Sequence, residues 1–146
     1  MADLNPDVVL GMAAQAPDGV VIIDHEGLIR YWNHGAERIF GFSADDVAGR
    51  SLDLIIPERH RKAHWDGFHT AMAEGATKYG EDDLLNVPAV TSDGSKLSIE
   101  FSVVLLADPD GGPGHVGAVI RDVTARRAQE RELRRQLANA PDPTTV

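Results

Sequence analysis

The chain has 146 residues, a length typical of one domain, and its 23 acidic and 14 basic residues give a formal net charge of −9. This balance argues against nucleic-acid binding, which needs a basic face. The absence of cysteine excludes disulfides, thiolate metal sites and cysteine nucleophiles. No apolar run approaches the roughly 18 residues of a membrane span. Residues 1–6 lack a secretion signal, so we expect a cytoplasmic protein.

The first half of the chain predicts a helix, a hairpin and several short helices. Apolar residues at helical spacing predict a helix over residues 6–16. Two apolar runs, at residues 20–24 and 28–32, flank a His-Glu-Gly turn and predict a β-hairpin. Short helices are expected after Asn33 and after Ser43, the second capped by its serine.

The longest predicted helix covers residues 57–74, with a proline suited to its first turn and Gly75 suited to its end. His60 lies one turn before His64, and His69 is a third histidine on this helix. Helical spacing places one group of its residues on a single face, which we expect to be buried. This group consists of His64, Trp65, Phe68, Ala71 and Met72.

The second half of the chain predicts three strands and a terminal helix. Residues 84–90 form the first strand, with Pro88 marking an edge or a bulge. Apolar and polar residues alternate over residues 96–103, which is the clearest half-buried strand of the chain. Residues 115–123 form the last strand, and the chain then turns helical and highly charged.

Motifs in a fixed order along the chain resemble the PAS family. Residues 19–24 and the later Asn33 resemble the opening hairpin and the asparagine that follows it. The Asp-Gly-Ser turn at residues 93–95 resembles the turn before the penultimate strand, and Asp-Val-Thr at residues 122–124 resembles the end of the last strand. The resemblance covers residues 15–124. It implies an α+β fold in which a five-stranded antiparallel sheet and flanking short helices enclose a pocket.

The resemblance divides the chain into an N-terminal helix at 1–16, a PAS domain at 17–124, a C-terminal helix at 125–140 and a disordered tail at 141–146. Members of the family hold haem, flavin, a coumaryl group or a small acid, or they hold nothing and dimerise. The fold therefore leaves the ligand open. Because the chain has no cysteine, flavin photochemistry through a cysteine adduct and a coumaryl thioester are both excluded, and a flavin without photochemistry stays open.

Residues 57–64 carry the most specific resemblance, which is to haem-binding sensor PAS domains. In those domains a histidine follows a Pro-Glu pair and an arginine at matching spacing, which implies His64 as the axial ligand of a haem gas or redox sensor. Leu85 stands where oxygen-sensing members hold an arginine, so we expect carbon monoxide, nitric oxide or a second protein ligand instead of oxygen. The residues implied around the haem are Trp65, Phe68, Met72, Leu85, Ile99, Phe101 and Val103.

Other ligands suit the same residues. His60 or His69 could replace His64 as the iron ligand. His60 and His64 also have the i, i+4 spacing of a zinc pair, although no third ligand is evident. The apolar residues equally suit a fatty acid or another small apolar acid, whose carboxylate could meet a basic residue of the same helix. The last alternative is a packed core without ligand in a module that acts by dimerisation.

No catalytic motif is present, so we expect that the protein is not an enzyme. No serine lies in an elbow motif, and the glycine-rich loop at residues 111–114 lacks the Lys-Ser/Thr of a phosphate loop. We expect a homodimer, formed through the terminal helices at 1–16 and 125–140, that acts on an unidentified downstream signalling protein. The chain's start and its Pro-Asp-Pro tail favour a stand-alone protein over a fragment.

Overall fold

A computed structural model describes residues 3–76, 83–111 and 114–140. It shows the predicted α+β fold, with a five-stranded antiparallel sheet and flanking helices. The predicted disordered tail lies outside the described residues. The elements in chain order are α1 (Pro6–Gln15), β1 (Gly19–Ile23), β2 (Ile29–Trp32), α2 (His34–Phe40), α3 (Ala44–Val47), a 3₁₀ turn (Leu52–Ile55), α4 (Glu58–Glu74), β3 (Leu85–Val90), β4 (Lys96–Leu106), β5 (His115–Asp122) and α5 (Thr124–Ala138).

The sheet has the strand order β2-β1-β5-β4-β3, so β2 and β3 are its edges. Val21 pairs with Trp32 on one side and with Ala118 on the other, and Phe101 pairs with Ile120. Paired residues of neighbouring strands point to the same face. These five residues therefore share one face, which the helices cover, and the alternate residues form the outer face.

The helix-covered face of the sheet carries the core. Trp32 packs against Phe40 with ring centroids 5.4 Å apart, and its indole nitrogen donates a hydrogen bond to the Phe42 carbonyl over 3.0 Å. This hydrogen bond satisfies the polar group of a buried tryptophan. The buried apolar cluster consists of Val21, Ile23, Ile29, Trp32, Ala36, Phe40, Val47, Ile55, Ile56, Phe68, Ala89, Ile99 and Ile120.

Most predicted boundaries are confirmed to within a residue. Ser43 caps α3 by accepting a hydrogen bond from the Asp46 amide, as predicted. Pro88 lies on the edge strand β3 and pairs in register with Ser98, so the edge alternative is correct. The bulge alternative is wrong at Pro88, because the register of β3 with β4 is regular from Leu85 to Val90. An irregularity in register lies instead between Ile22 and Ile23 of β1.

The predicted buried stripe of the long helix is only partly present. Of the 17 residues of α4, Phe68 alone is buried. His64, Trp65 and Met72 are half-buried, and Trp65 and Met72 pack against the buried cluster to which Phe68 belongs. Helical spacing predicted the correct face of the helix but overestimated how deeply that face is covered.

Gly35 provides a test of how closely α2 approaches the chain before β1. A Cβ atom added to Gly35 would overlap the backbone carbonyl of Asp18, whereas one added to Gly67 of α4 would meet nothing. Replacing a helical glycine by alanine normally stabilises a protein by roughly 0.5–1 kcal/mol. We expect Gly67→Ala to raise the free energy of unfolding by about this amount and Gly35→Ala to lower it by roughly 1–3 kcal/mol. Urea denaturation measures both variants, and equal stabilisation by both would contradict the close approach.

Candidate functional site

Trp65 and the β1–β2 turn hold α4 in place. The Trp65 indole nitrogen donates a 2.7 Å hydrogen bond to a carboxylate oxygen of Asp53, in the 3₁₀ turn. Its ring lies so close to Gly27 that a Cβ there would overlap it. Phe68, one turn on, packs edge-on against the Trp65 ring with centroids 5.2 Å apart. His64 directly precedes Trp65, so these contacts of Trp65 also fix the position of His64.

His64 is half-buried with an unusual polar atom. Its ring packs edge-on against Trp65 with centroids 4.4 Å apart. Its Nδ1 atom is buried and has no hydrogen-bond partner in the described part of the chain. Burial lowers the pKa of His64 below its usual value, and the negative charge of Asp53 only partly opposes this shift. The imidazole is therefore neutral at neutral pH, the form in which histidine binds metals.

The two other histidines of α4 do not join His64. The His60 ring accepts a hydrogen bond from Arg59 over 3.1 Å, and His69 is exposed with its centroid 6.5 Å from that of Trp65. Among the described residues there is no group of three histidine, cysteine, aspartate or glutamate side chains able to hold a metal ion. A zinc site built on His60 and His64 therefore lacks its third ligand in the described chain.

The predicted ligand-lining residues fall into two groups. Trp65, Phe68, Met72, Ile99 and Phe101 all belong to the core cluster or pack against it. Leu85 pairs with Phe101 across the β3–β4 ladder, and Val103 is half-buried two residues further along β4, but neither belongs to the cluster.

These residues do not fit a haem in the described conformation. Only 4% of the Ile99 surface can be reached by a water-sized sphere, so other protein atoms enclose it. A metal-ligating histidine normally bonds through its second ring nitrogen to a carboxylate, carbonyl or water, and the unpaired Nδ1 of His64 shows no such partner. Surface cavities of about 370 and 440 Å³ are present, and neither is lined by His64.

Asn33 has a role that the sequence analysis missed. Its side-chain oxygen accepts hydrogen bonds from the amides of Val20 and Ala36, over 2.8 and 2.9 Å. Its side-chain nitrogen donates to the carbonyls of Ala13 and Asp18, over 2.7 and 3.0 Å. One buried amide thus connects the end of α1, the start of β1 and the start of α2. The sequence signal was an asparagine directly after the hairpin, where it can cap a helix.

The start of α5 is fastened in a similar way. The first residue of α5, Thr124, accepts a 2.9 Å hydrogen bond from the Ser98 amide through its hydroxyl oxygen. Arg126 forms a 2.6 Å ion pair with Glu100 of β4. At the end of β5, Arg121 pairs with Asp18 over 3.1 Å. Asp18 therefore connects Asn33, which bonds to α1, with Arg121, which lies at the end of β5 just before α5. Its carbonyl accepts a hydrogen bond from Asn33, and its carboxylate pairs with Arg121.

Exposed apolar side chains are concentrated on the terminal helices and the outer face of the sheet. Met12 of α1 is 76% exposed and Leu137 of α5 is 68% exposed. Several large apolar side chains exposed to water on one surface are typical of an interaction site. The set consists of Val8, Val9, Leu10 and Met12 on α1, Val104, Leu106 and Val119 on the sheet, and Leu133 and Leu137 on α5. None of the described helices is long and apolar enough to cross a membrane.

Comparisons with known proteins agree with this architecture. The sequence profile of the family described as PAS fold matches residues 13–128. An uncharacterised protein of Azorhizobium caulinodans is 34% identical over 119 residues, which are 81% of this chain and 16% of that protein. The cell-division control histidine kinase PdhS of Brucella ovis is 30% identical over 118 residues, 81% of this chain and 11% of the kinase. This chain thus spans only a small part of either relative.

A solved structure shows the same fold. The PAS domain of a protein from Colwellia psychrerythraea superimposes with a TM-score of 0.69 at 20% identity, over 83% of this chain and 98% of that chain. Because the identity is low, this similarity concerns the fold alone and not a ligand.

Proposed function

We propose that this chain, which belongs to the PAS fold family of sensory and signal-transduction domains, is the sensory module of a sensor-kinase-type pathway. In this proposal it passes changes in its core to its terminal helices. The observation that carries the proposal is the double attachment of Asp18. Its carbonyl is bonded to Asn33, which holds α1, and its carboxylate to Arg121, which precedes α5. A shift of α1 therefore strains the contacts that precede α5, and a shift of α5 strains those that hold α1.

The signalling unit in this proposal is a homodimer that uses α1, α5 and the outer sheet face. The exposed apolar residues described above lie on these three surfaces, and covering them with a second copy would remove them from water. Catalysis belongs in our proposal to a separate effector, since the match to the kinase lies within the PAS region.

The dimer can be tested on α1. We expect wild-type protein to sediment as a dimer. The double variant Val9→Gln with Met12→Gln should have a dimer dissociation constant at least about tenfold higher, because two apolar side chains that the dimer would bury are replaced by polar ones. Analytical ultracentrifugation over a concentration series measures this constant. Leu84→Gln is the matched control, because Leu84 is 63% exposed but lies outside the three surfaces. Wild-type protein that stays monomeric throughout the series would rule the dimer out.

Haem binding through His64 is the second candidate function, and the observation in its favour is that the half-buried imidazole packs against the aromatic ring of Trp65. Haem bound to His64 would bring gas or redox chemistry to the domain. A haem needs space between α4 and β4, where Ile99 is now enclosed, so binding requires the core to open. A fatty acid or another small apolar acid needs less space, and the half-buried Phe101 and Val103 offer it an apolar surface.

Absorbance spectroscopy tests whether haem binds. With haem added to purified wild-type protein, we expect the spectrum of free haem, because the enclosed core excludes the porphyrin. A stoichiometric Soret band that disappears in His64→Ala and persists in His69→Ala would contradict this expectation and establish His64 as the iron ligand. His69 is the matched control because it is an exposed histidine on the same helix.

A further inference from the structure

A second surface feature lies away from His64, between the start of α4 and the β3–β4 hairpin. This cavity has a volume of about 440 Å³, within the range of ligand sites. Three apolar, two basic and one acidic side chain surround it: Pro57, Val90, Pro88, Arg59, Lys96 and Glu58. The apolar members offer contact area, and the basic members offer charge.

Within the described residues, the two basic side chains of the cavity form no ion pair with an acidic side chain. Arg59 donates a hydrogen bond to His60, and neither Arg59 nor Lys96 lies within 4.0 Å of a carboxylate in the described chain. The next two basic residues of α4 differ, since Arg61 and Lys62 each form an ion pair. In a chain of net charge −9, two unpaired cations at one cavity favour an anionic occupant.

We propose that this cavity docks an acidic segment of a partner protein. In this arrangement an aliphatic side chain of the segment packs on Pro57, Pro88 and Val90, and its carboxylates pair with Arg59 and Lys96. The inference goes beyond the proposed sensory function and does not depend on it, since neither the dimer surfaces nor His64 contribute to the cavity.

The form of the cavity favours a peptide over a free small molecule or a nucleic acid. Arg59, Glu58 and Lys96 are exposed, so a small molecule bound there would keep much of its surface in water, whereas ligand sites bury most of theirs. A side chain that projects from a larger partner brings neighbouring contacts that exclude water. A nucleic acid needs an extended basic face, whereas this cavity offers two basic side chains beside one acidic side chain.

The cavity adjoins β4, the strand that is hydrogen-bonded to the start of α5. Lys96 is the first residue of β4, and Ser98, two residues later, bonds through its amide and carbonyl to Thr124 and Val123 at the start of α5. A partner bound to Lys96 therefore contacts the strand segment that is hydrogen-bonded to the start of α5. This position suits a protein that reads the state of the domain.

The experiment uses a blocked peptide in which glutamate alternates with leucine. The same peptide with glutamine in place of glutamate and the small acid hexanoate serve as comparison probes. Each is titrated into isotope-labelled protein, and binding is followed by amide chemical shifts. The test variant is Arg59→Gln with Lys96→Gln. Its matched control is Lys62→Gln with Arg131→Gln, which removes the same charge outside the cavity.

We expect the acidic peptide to shift amides around Pro57–Arg59 and in the β3–β4 hairpin, and the test variant to weaken its binding at least about tenfold. The control variant should bind within about twofold of wild type, and the glutamine peptide should bind more weakly. Equal weakening in both variants would reduce the effect to overall charge and overturn the proposal. Binding of hexanoate as tight as that of the peptide, or no shifts at these residues, would also overturn it.

Discussion

The hydrogen bonds of one buried side chain, that of Asn33, set the arrangement of this domain. Only 3% of Asn33 is exposed, and its amide bonds to α1, β1 and α2, up to 20 residues away in sequence. A buried polar group left without partners costs roughly 1–3 kcal/mol. Because Asn33 satisfies both its oxygen and its nitrogen with backbone groups, it fixes the position of those groups as well. The N-terminal helix, which has no buried residue of its own, depends on this contact.

The outer parts of the domain are attached by polar contacts more than by burial. Neither α1 nor α5 contains a buried residue. Hydrogen bonds to Asn33 hold α1, and the Thr124 hydroxyl with the Arg126 ion pair holds α5. Such attachments are directional and individually modest, so a helix can shift without unfolding the core. This combination of a packed centre and polar-bonded ends is suited to transmitting a signal.

Sequence pattern predicted the fold because periodicity and turn residues are local properties. The alternation over residues 96–103 and the glycine that ends α4 are local patterns, and the start of β4 and the end of α4 were placed correctly. The end of β4 lies three residues beyond the predicted alternation, at Leu106. The depth of α4 was not predictable in the same way, because it depends on what lies opposite each side chain. His64 illustrates this limit: its helical face was evident, but its unpaired Nδ1 and its contact with Trp65 arise from packing across the fold.

Asn33 links α1 to the core, and hydrogen exchange measures that link directly. In Asn33→Ala we expect the amides of α1 to exchange at least about tenfold faster, while those of β4 and β5 change less, because the bonds to Ala13 and Asp18 are lost. Asn86→Ala, at an exposed position on β3, is the control. Unchanged exchange in α1, or an equal increase throughout the domain, would contradict the account.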